Sequence, residues 1–551
     1  MKMHTNARFL FLLILLVSGI THTPAQTIWE NTKAEVYPYL ERMADKGLIQ
    51  LNDLVKPLGR NTIYRHLTEL QSKEAQLSAI EKKELHFYLE EYSNAMAAPD
   101  SVYNDQVKAF KKDGYHRWRS FTAEGGSVTL QIDPLLGMGF INGTDQSVKQ
   151  YNSGVDAWGT VGKHWGYQFY FRDFNETGTG MDRVTQNTPN TGIIIKDTSN
   201  YSSLNYSETR AAITYTWNKG VISFGQDHLL WGYGQNGLIT VSDKSPVFPY
   251  IRFDYQLFKW LHFNYDHIWL SSDIVDSART YPNGNIIYGG QRVFYQPKYM
   301  AMHSANFRLK KGLTAALGES MIYSDNLLWP YLIPVLFYKI YDYETSNSYN
   351  NAGSNAQIFL NIDSRNQVAK THLYGTLFID ELSVSNIFNE KKKRNQIGYT
   401  IGAEKRDVLL PYLTVGVEYT RVNPFVYRNF IPAQDYSNHN YSLGDWMGNN
   451  FDRWILFAKY HPVAKLSLIA RYQYSRKGGA GTLTDQYYAQ PQPPFLFDLQ
   501  NKTTELYFQC RYEWIHRLYL NLTAWQQHIQ LIPTHTEQNT HTLQVSISYG
   551  L

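Results

Sequence analysis

The feature that most constrains this chain is a period of two that sets in near Ser127 and persists to the last residues. Leu506, Phe508, Cys510, Tyr512 and Trp514 alternate with Glu505, Tyr507, Gln509, Arg511 and Glu513, which makes a strand with one greasy and one polar face. Leu518, Leu520, Leu522 and Ala524 alternate in the same way with Tyr519, Asn521 and Thr523, and the link Ile515-His516-Arg517 is short enough for a hairpin. The pattern returns where Leu413, Val415, Val417 and Tyr419 oppose Thr414, Gly416, Glu418 and Thr420, and where Leu466, Leu468, Ala470 and Tyr472 oppose Ser467, Arg471 and Gln473. Such runs, at about 10 to 14 residues, suit a tilted strand crossing a bilayer and exceed the ordinary soluble strand.

Connections decide between a soluble sandwich and a membrane barrel. Short links at 515–517, 461–463, 407–411, 310–311, 257–258 and 218–219 alternate with longer polar ones near 143–151, 176–204, 228–248, 271–297, 324–353, 383–394, 421–451, 476–502 and 531–538. The count is about eighteen strands, and an even number with short turns on one side and long loops on the other is the signature of an outer-membrane barrel. A sandwich needs an apolar interior, whereas water in a wide lumen hydrates the polar faces. Residues 127–142 admit two readings, one long strand or two short ones split at Pro134, the second of which would remove a strand elsewhere to keep the number even. The expected fold is membrane all-β: an antiparallel barrel of about eighteen strands over 127–551, its last strand paired with its first.

The segments ahead of the barrel read differently. Lys2 and Arg8, an apolar run from Phe9 to Ile20 and the small-residue site Thr23-Pro24-Ala25 form an export signal over 1–25, cut after Ala25. Residues 26–97 form a helical bundle on the periplasmic side, and 98–126 a connector. A first helix carries Val36, Leu40 and Met43 and ends at Gly47; a second carries Ile63, Leu67 and Leu70; a third opens on the capping box Ser78-Ala79-Ile80-Glu81 and carries Leu85, Tyr88, Leu89 and Tyr92. Three such helices make a thin core, so they are expected to pack against the barrel mouth that bears the short turns and both chain ends.

Composition removes other classes. The mature chain has no run of 18 apolar residues, so it is not a helical membrane protein. Net charge is +4, or +2 without Lys2 and Arg8, which gives nucleic acid no basic surface. A single cysteine, Cys510, excludes an internal disulfide or a multi-thiolate metal site. No catalytic motif of known spacing occurs, and His262 with Asp266 reads as a lumen strand, so no enzyme, cofactor or metal is expected. Glu319, Asp380, Glu404 and Glu418 with Arg252, Arg471 and Arg511 are placed on lumen faces as structural charges, and Trp454, Tyr474 and Trp514 in the aromatic girdles.

Several separated segments resemble the capsule assembly protein Wzi family. They are Tyr37-Pro38-Tyr39-Leu40-Glu41-Arg42-Met43 with Gly47-Leu48-Ile49 and Lys56-Pro57-Leu58; Phe224-Gly225-Gln226-Asp227 with Trp231-Gly232-Tyr233-Gly234 and Ser242; Glu319; Tyr374-Gly375 with Asp380-Glu381; Glu418-Tyr419-Thr420 with Pro424 and Tyr427; and Leu443-Gly444-Asp445-Trp446-Met447-Gly448. The chain ends in Leu551 where many barrels end in an aromatic, with Tyr549 on the same face. The resemblance implies a lectin-like protein that holds capsular or extracellular polysaccharide at the cell surface, in a barrel closed by its helical bundle. Its implied surroundings are outer-membrane lipid, the polysaccharide and, during biogenesis, the barrel-assembly machinery; oligomeric state stays open. Sugars need flat rings and hydrogen-bonding side chains, which three loops offer: Trp231, Tyr233, Gln235 and Asn236; Trp329, Tyr331, Tyr338, Tyr341 and Tyr343; and Tyr427, Arg428, Tyr436, Tyr441 and Trp446. The competing reading is that these aromatics pack the loops on one another. The alternative function is a porin or transport channel for small solutes or saccharides.

Overall fold

The computed structural model describes residues 26–93, 106–112, 117–183, 188–195, 202–284, 290–349, 353–382, 395–479 and 492–551. The export signal, and residues 98–105 and 113–116 of the connector, lie outside the described residues. Alternation builds eighteen barrel strands: β1 Val128–Gly143, β2 Ser147–Val161, β3 Trp165–Thr179, β4 Ser203–Trp217, β5 Gly220–Asp227, β6 Phe248–Phe258, β7 Leu261–Val275, β8 Tyr295–Lys310, β9 Leu313–Ser324, β10 Asn355–Arg365, β11 Thr371–Leu382, β12 Asn395–Lys405, β13 Leu413–Val422, β14 Phe451–Val463, β15 Leu466–Gly478, β16 Leu499–Ile515, β17 Leu518–Leu531 and β18 Thr536–Tyr549. Each pairs antiparallel with its neighbour in sequence, and β18 closes on β1 from Thr542 opposite Gly143 to Tyr549 opposite Leu136.

Residues 128–143 form one strand, not two. A hairpin of Gln106–Lys112 and Trp118–Gly125 pairs with β1 as far as Ile132, and β18 takes over at Leu136. Pro134 falls in the gap between those two partners, where a residue without an N–H interrupts no ladder.

Leu136, Met138, Phe140, Leu506, Phe508, Leu543 and Val545 are exposed on the outer wall, the surface a lipid belt requires. Aromatics ring both ends of it. Near the short turns Trp165 meets Tyr215 at 4.9 Å and Phe258 stacks on Trp260 at 5.3 Å; toward the long loops Tyr419 packs on Trp454 at 4.5 Å. Among the described residues no helix is long and apolar enough to cross a membrane. A barrel of this kind resists detergent until heated, so boiled and unboiled samples should migrate differently on a gel. Identical migration together with recovery in a soluble fraction would refute it.

The helical module comprises α1 Val36–Asp45, α2 Arg60–Gln71 and α3 Ala79–Tyr92. Ser78 and Glu81 form the reciprocal capping box, and Gly47 takes φ +74° past the first helix. The three stripes converge in one core to which Leu551 also packs. The module closes the short-turn end of the barrel through polar contacts: Glu35 with Arg511 at 2.8 Å, Glu91 with Arg119 at 3.1 Å, and Lys46 with Asp407 at 3.1 Å. Asp45 lies deepest, between Arg365 at 3.0 Å and Arg406 at 2.6 Å.

Asp407 gives this docking an acid limit. Burial pushes its carboxyl up, but the hydrogen bond from Lys370, the Tyr412 N–H and Lys46 outweigh that and hold it at about 2. A carboxylate depressed in the folded state stabilises above its unfolded value of about 4 and loses that contribution as pH falls toward about 2. Asp407→Asn should therefore weaken module docking at neutral pH, and its difference from the parent should vanish between pH ~4 and ~2. Hydrogen exchange of α1 across that range checks it; a difference independent of pH would be the contrary result.

The lumen divides in two. Loops 228–247 and 423–450 turn inward and bury Trp231, Ile239, Val241, Tyr427, Tyr436 and Leu443 against Ile268, Met300, Met302, Phe359 and Phe378 of the inner wall. Leu230–Trp231 pairs antiparallel with Val55–Lys56 of the module, so material from the two ends meets inside the barrel. This half is filled by protein, an apolar core with buried polar pairs such as Asp445–Arg453 beside it, contrary to the expectation of a hydrated polar lumen throughout. The other half, along β15–β18 and β1–β4, keeps the polar face.

Candidate functional site: a polar half-lumen

Where the plug stops, a cavity of about 1520 Å³ runs from the long-loop rim, at 143–147 and 188–194, down to Lys33 of the module. Its wall consists of the inward positions of the alternating strands: Arg471, Gln473, Ser475 and Lys477 on β15, Thr503, Glu505, Tyr507, Gln509 and Arg511 on β16, Asn521, Thr523, Trp525 and Gln527 on β17, and Gln544 and Ser546 on β18. The opposite wall brings Gln150, Glu176 and Tyr206. Most of these are half-buried, so they hold water-accessible polar groups without being swept by bulk solvent.

The side chains are positioned by one another. Arg471 pairs with Glu505 at 2.9 Å and lies over the Tyr507 ring at 4.4 Å, while Gln527 donates to the other Glu505 oxygen at 2.8 Å. Gln150 and Tyr206 donate to Glu176 at 2.9 and 3.1 Å, and Phe174 stacks on Tyr206 at 4.8 Å. At the floor, Arg511 links Asn521 to Glu35. At the rim, Lys244 donates to the carbonyls of Thr188 and Asn190 and tethers that loop to the plug; burial pulls its ammonium down to about 8. Rings flanked by amides, carboxylates and guanidinium groups are the chemistry that hydroxyl-rich ligands need: stacking against C–H faces and bidentate hydrogen bonds.

Of the residues singled out from sequence, the structure brings Asn236 and Trp446 to this cavity, where Asn236 donates to Gln473 at 2.8 Å and accepts from the Trp446 indole at 2.7 Å. Gln235 donates its N–H to Glu418 at 2.9 Å and its amide to Tyr374, and Tyr233 reaches Asp53 at 3.4 Å. Trp231 is 1% exposed and donates to Asp266; Tyr427 is fully enclosed and donates to the Ile239 carbonyl; Arg428 is buried over Phe425. These three belong to the plug, not to the cavity wall.

Trp329, Tyr338 and Tyr341 are elsewhere altogether, on the outside of the barrel. The same correction applies to Glu319, expected in the lumen. Its register partner is His303, on the face opposite Met302 and Ser320, and the loop after β9 covers it, with Tyr338 N–H donating to it at 2.6 Å. The wall residues of β15–β18 were visible as polar alternation, but nothing in the sequence distinguished them from other lumen strands. One cluster, Asp45, His372 and Glu404, has the spacing of a metal site; Arg365 and Arg406 already bring positive charge to it.

No family model matches the sequence, and no curated protein matches it. Solved structures do share its fold. Wzi of Escherichia coli, described as a carbohydrate-binding outer-membrane β-barrel involved in group 1 capsule assembly, aligns with a TM-score of 0.58 at 12% identity over 96% of this chain and 100% of that one. Pseudomonas aeruginosa OccK3 (OpdO) aligns at 0.41 and 14% identity over 77% and 95%, and OprD of the same organism at 0.41 and 12% over 82% and 98%. The chain thus has the outer-membrane barrel fold of Wzi, with helices ahead of eighteen strands.

Proposed function

We propose that this barrel, which shares the fold of a carbohydrate-binding protein, holds a strand of capsular or other extracellular polysaccharide in its polar half-lumen and does not turn it over. The observation that carries the reading is the cavity itself: deep, lined by rings among amides and paired charges, and floored by the module through Arg511 and Glu35. A site floored in this way suits retention of a chain end or a loop of glycan. In this reading the short-turn end and the helical module face the periplasm, and the long-loop rim faces the medium.

Small-solute conduction is the second reading, favoured by the cavity's reach from the rim to Lys33. Two measurements on the purified protein separate them. Glycan-array binding with little steady conductance in planar bilayers is the expected outcome. Steady conductance by the intact protein, with no glycan bound, would favour the channel.

A further inference from the structure

We propose that the segment from Asp325 to Tyr349 is a lipid-seated collar: it lies on the outside of the barrel and sets its outward apolar face among the acyl chains of the leaflet at the long-loop end. The register fixes its position. Ala301 opposes Met321, His303 opposes Glu319 and Tyr299 opposes Tyr323. Ala301, Met321, Tyr323 and Tyr299 cluster with Tyr265, Tyr331 and Tyr338, and His303 and Glu319 both touch Tyr338. Met300, Met302 and Ile322, one position along on the same strands, belong instead to the lumen core. The cluster is therefore on the outer wall.

That wall is unusual for a surface meant to meet lipid, because Tyr265, His267, His303 and Glu319 all point outward from it. The segment covers this patch and bonds two of its groups, Glu319 and Tyr265, while His267 bonds the Tyr323 hydroxyl within the wall. Glu319 accepts from the Tyr338 N–H and lies 3.2 Å from His303, and Tyr265 donates to the Tyr331 carbonyl at 3.0 Å. Having covered them, the segment turns new apolar surface outward. Trp329 is 75% exposed, Val335 74%, Ile340 55% and Tyr343 69%. Around it the same outer wall exposes Leu317 and Ile358, so the collar's face continues the lipid belt. A Trp, a Tyr and an exposed Lys339, whose ammonium lies 4.0 Å from Asp342, beside aliphatic residues are what an interfacial element carries.

The test uses the chain's single cysteine. Cys510 lies on the outer wall of β16, so a nitroxide on it in the reconstituted parent protein reports a lipid environment. In a Cys510→Ser background, Val335→Cys and Tyr343→Cys place the label on the collar, and Lys370→Cys places it on an exposed short turn as the aqueous reference. Heat-modifiable migration selects the variants that fold. The expected result is a ratio of oxygen to nickel-chelate collision rates on the collar comparable to that at Cys510 and well above that at Lys370→Cys. A ratio equal to the aqueous reference overturns the proposal, as does protection from both agents, which would mean that a second copy of the chain covers this face.

Discussion

Asp45→Ala is expected to unseat the helical module while leaving the barrel closed. Asp45 is fully buried, and its two oxygens serve Arg365 and Arg406, which rise from the short-turn ends of β10 and β12. Arg365 also binds Asp53 and Asp363, and Arg406 also binds Glu404, so the cluster links the module to the barrel by charge and not by grease. Asp45→Ala leaves Arg365 with Asp53 and Asp363 and Arg406 with Glu404, so both guanidiniums stay partly compensated. What is lost is the charge-assisted hydrogen bonds from module to barrel, about 1.5 to 3 kcal/mol, or roughly ten- to a hundredfold in the docking equilibrium. Faster hydrogen exchange across α1 to α3 and higher bilayer conductance, at unchanged heat-modifiable migration, are the expected readings. Asp45→Asn should fall between, because the amide oxygen still accepts one hydrogen bond. Exchange in the module identical to the parent would show that its apolar and peripheral contacts suffice.

How far the sequence disclosed this depends on what each face touches. Where one face meets lipid and the other water, as along Leu506 to Trp514, alternation is clean and the strand and its outward side were readable, while its residue-by-residue pairing came from the fold. The helices were readable for the same reason: Ile63, Leu67 and Leu70 are fully buried while the residues between them stay wet or half-wet. In β10 the inward face is polar at Gln357, Asn361 and Asp363 and interrupted only by Phe359, which fills the lumen core while Ile358, Leu360 and Ile362 meet lipid; the strand is legible, but the plug that Phe359 packs against leaves no local trace. Glu319 failed for a related reason. A charge on a membrane strand is expected to face the lumen, yet the loop that follows this strand folds back over the outer wall and covers Glu319 there, and the strand's own sequence carries no trace of that cover. The loop aromatics show the same limit. Clusters rich in Trp and Tyr were visible, but whether a ring fills the plug, faces the cavity or lies on the outer wall is decided by loops 228–247 and 423–450 folding together into the lumen and 325–349 folding over the outer wall.

The half-lumen yields the second large effect. Tyr507 and Trp525 face the cavity from neighbouring strands and are opposite in register, so both rings stand on the same stretch of wall of β16 and β17. A ring stacked on a sugar contributes on the order of 1 kcal/mol beyond its buried area, and a hydrogen bond about as much. Tyr507→Ala with Trp525→Ala removes both rings and the tyrosine hydroxyl, so affinity for a retained glycan should fall by roughly a hundredfold. The barrel should still assemble, because both side chains stand half-buried in a polar cavity and not in the apolar plug. On cells, polysaccharide should move from the bound to the shed fraction at equal barrel abundance. Trp329→Ala, which alters only the outer wall, should leave that partition unchanged. If the double variant retained as much polysaccharide as the parent, the half-lumen would not be the binding surface, and conduction would become the better account of its polar wall.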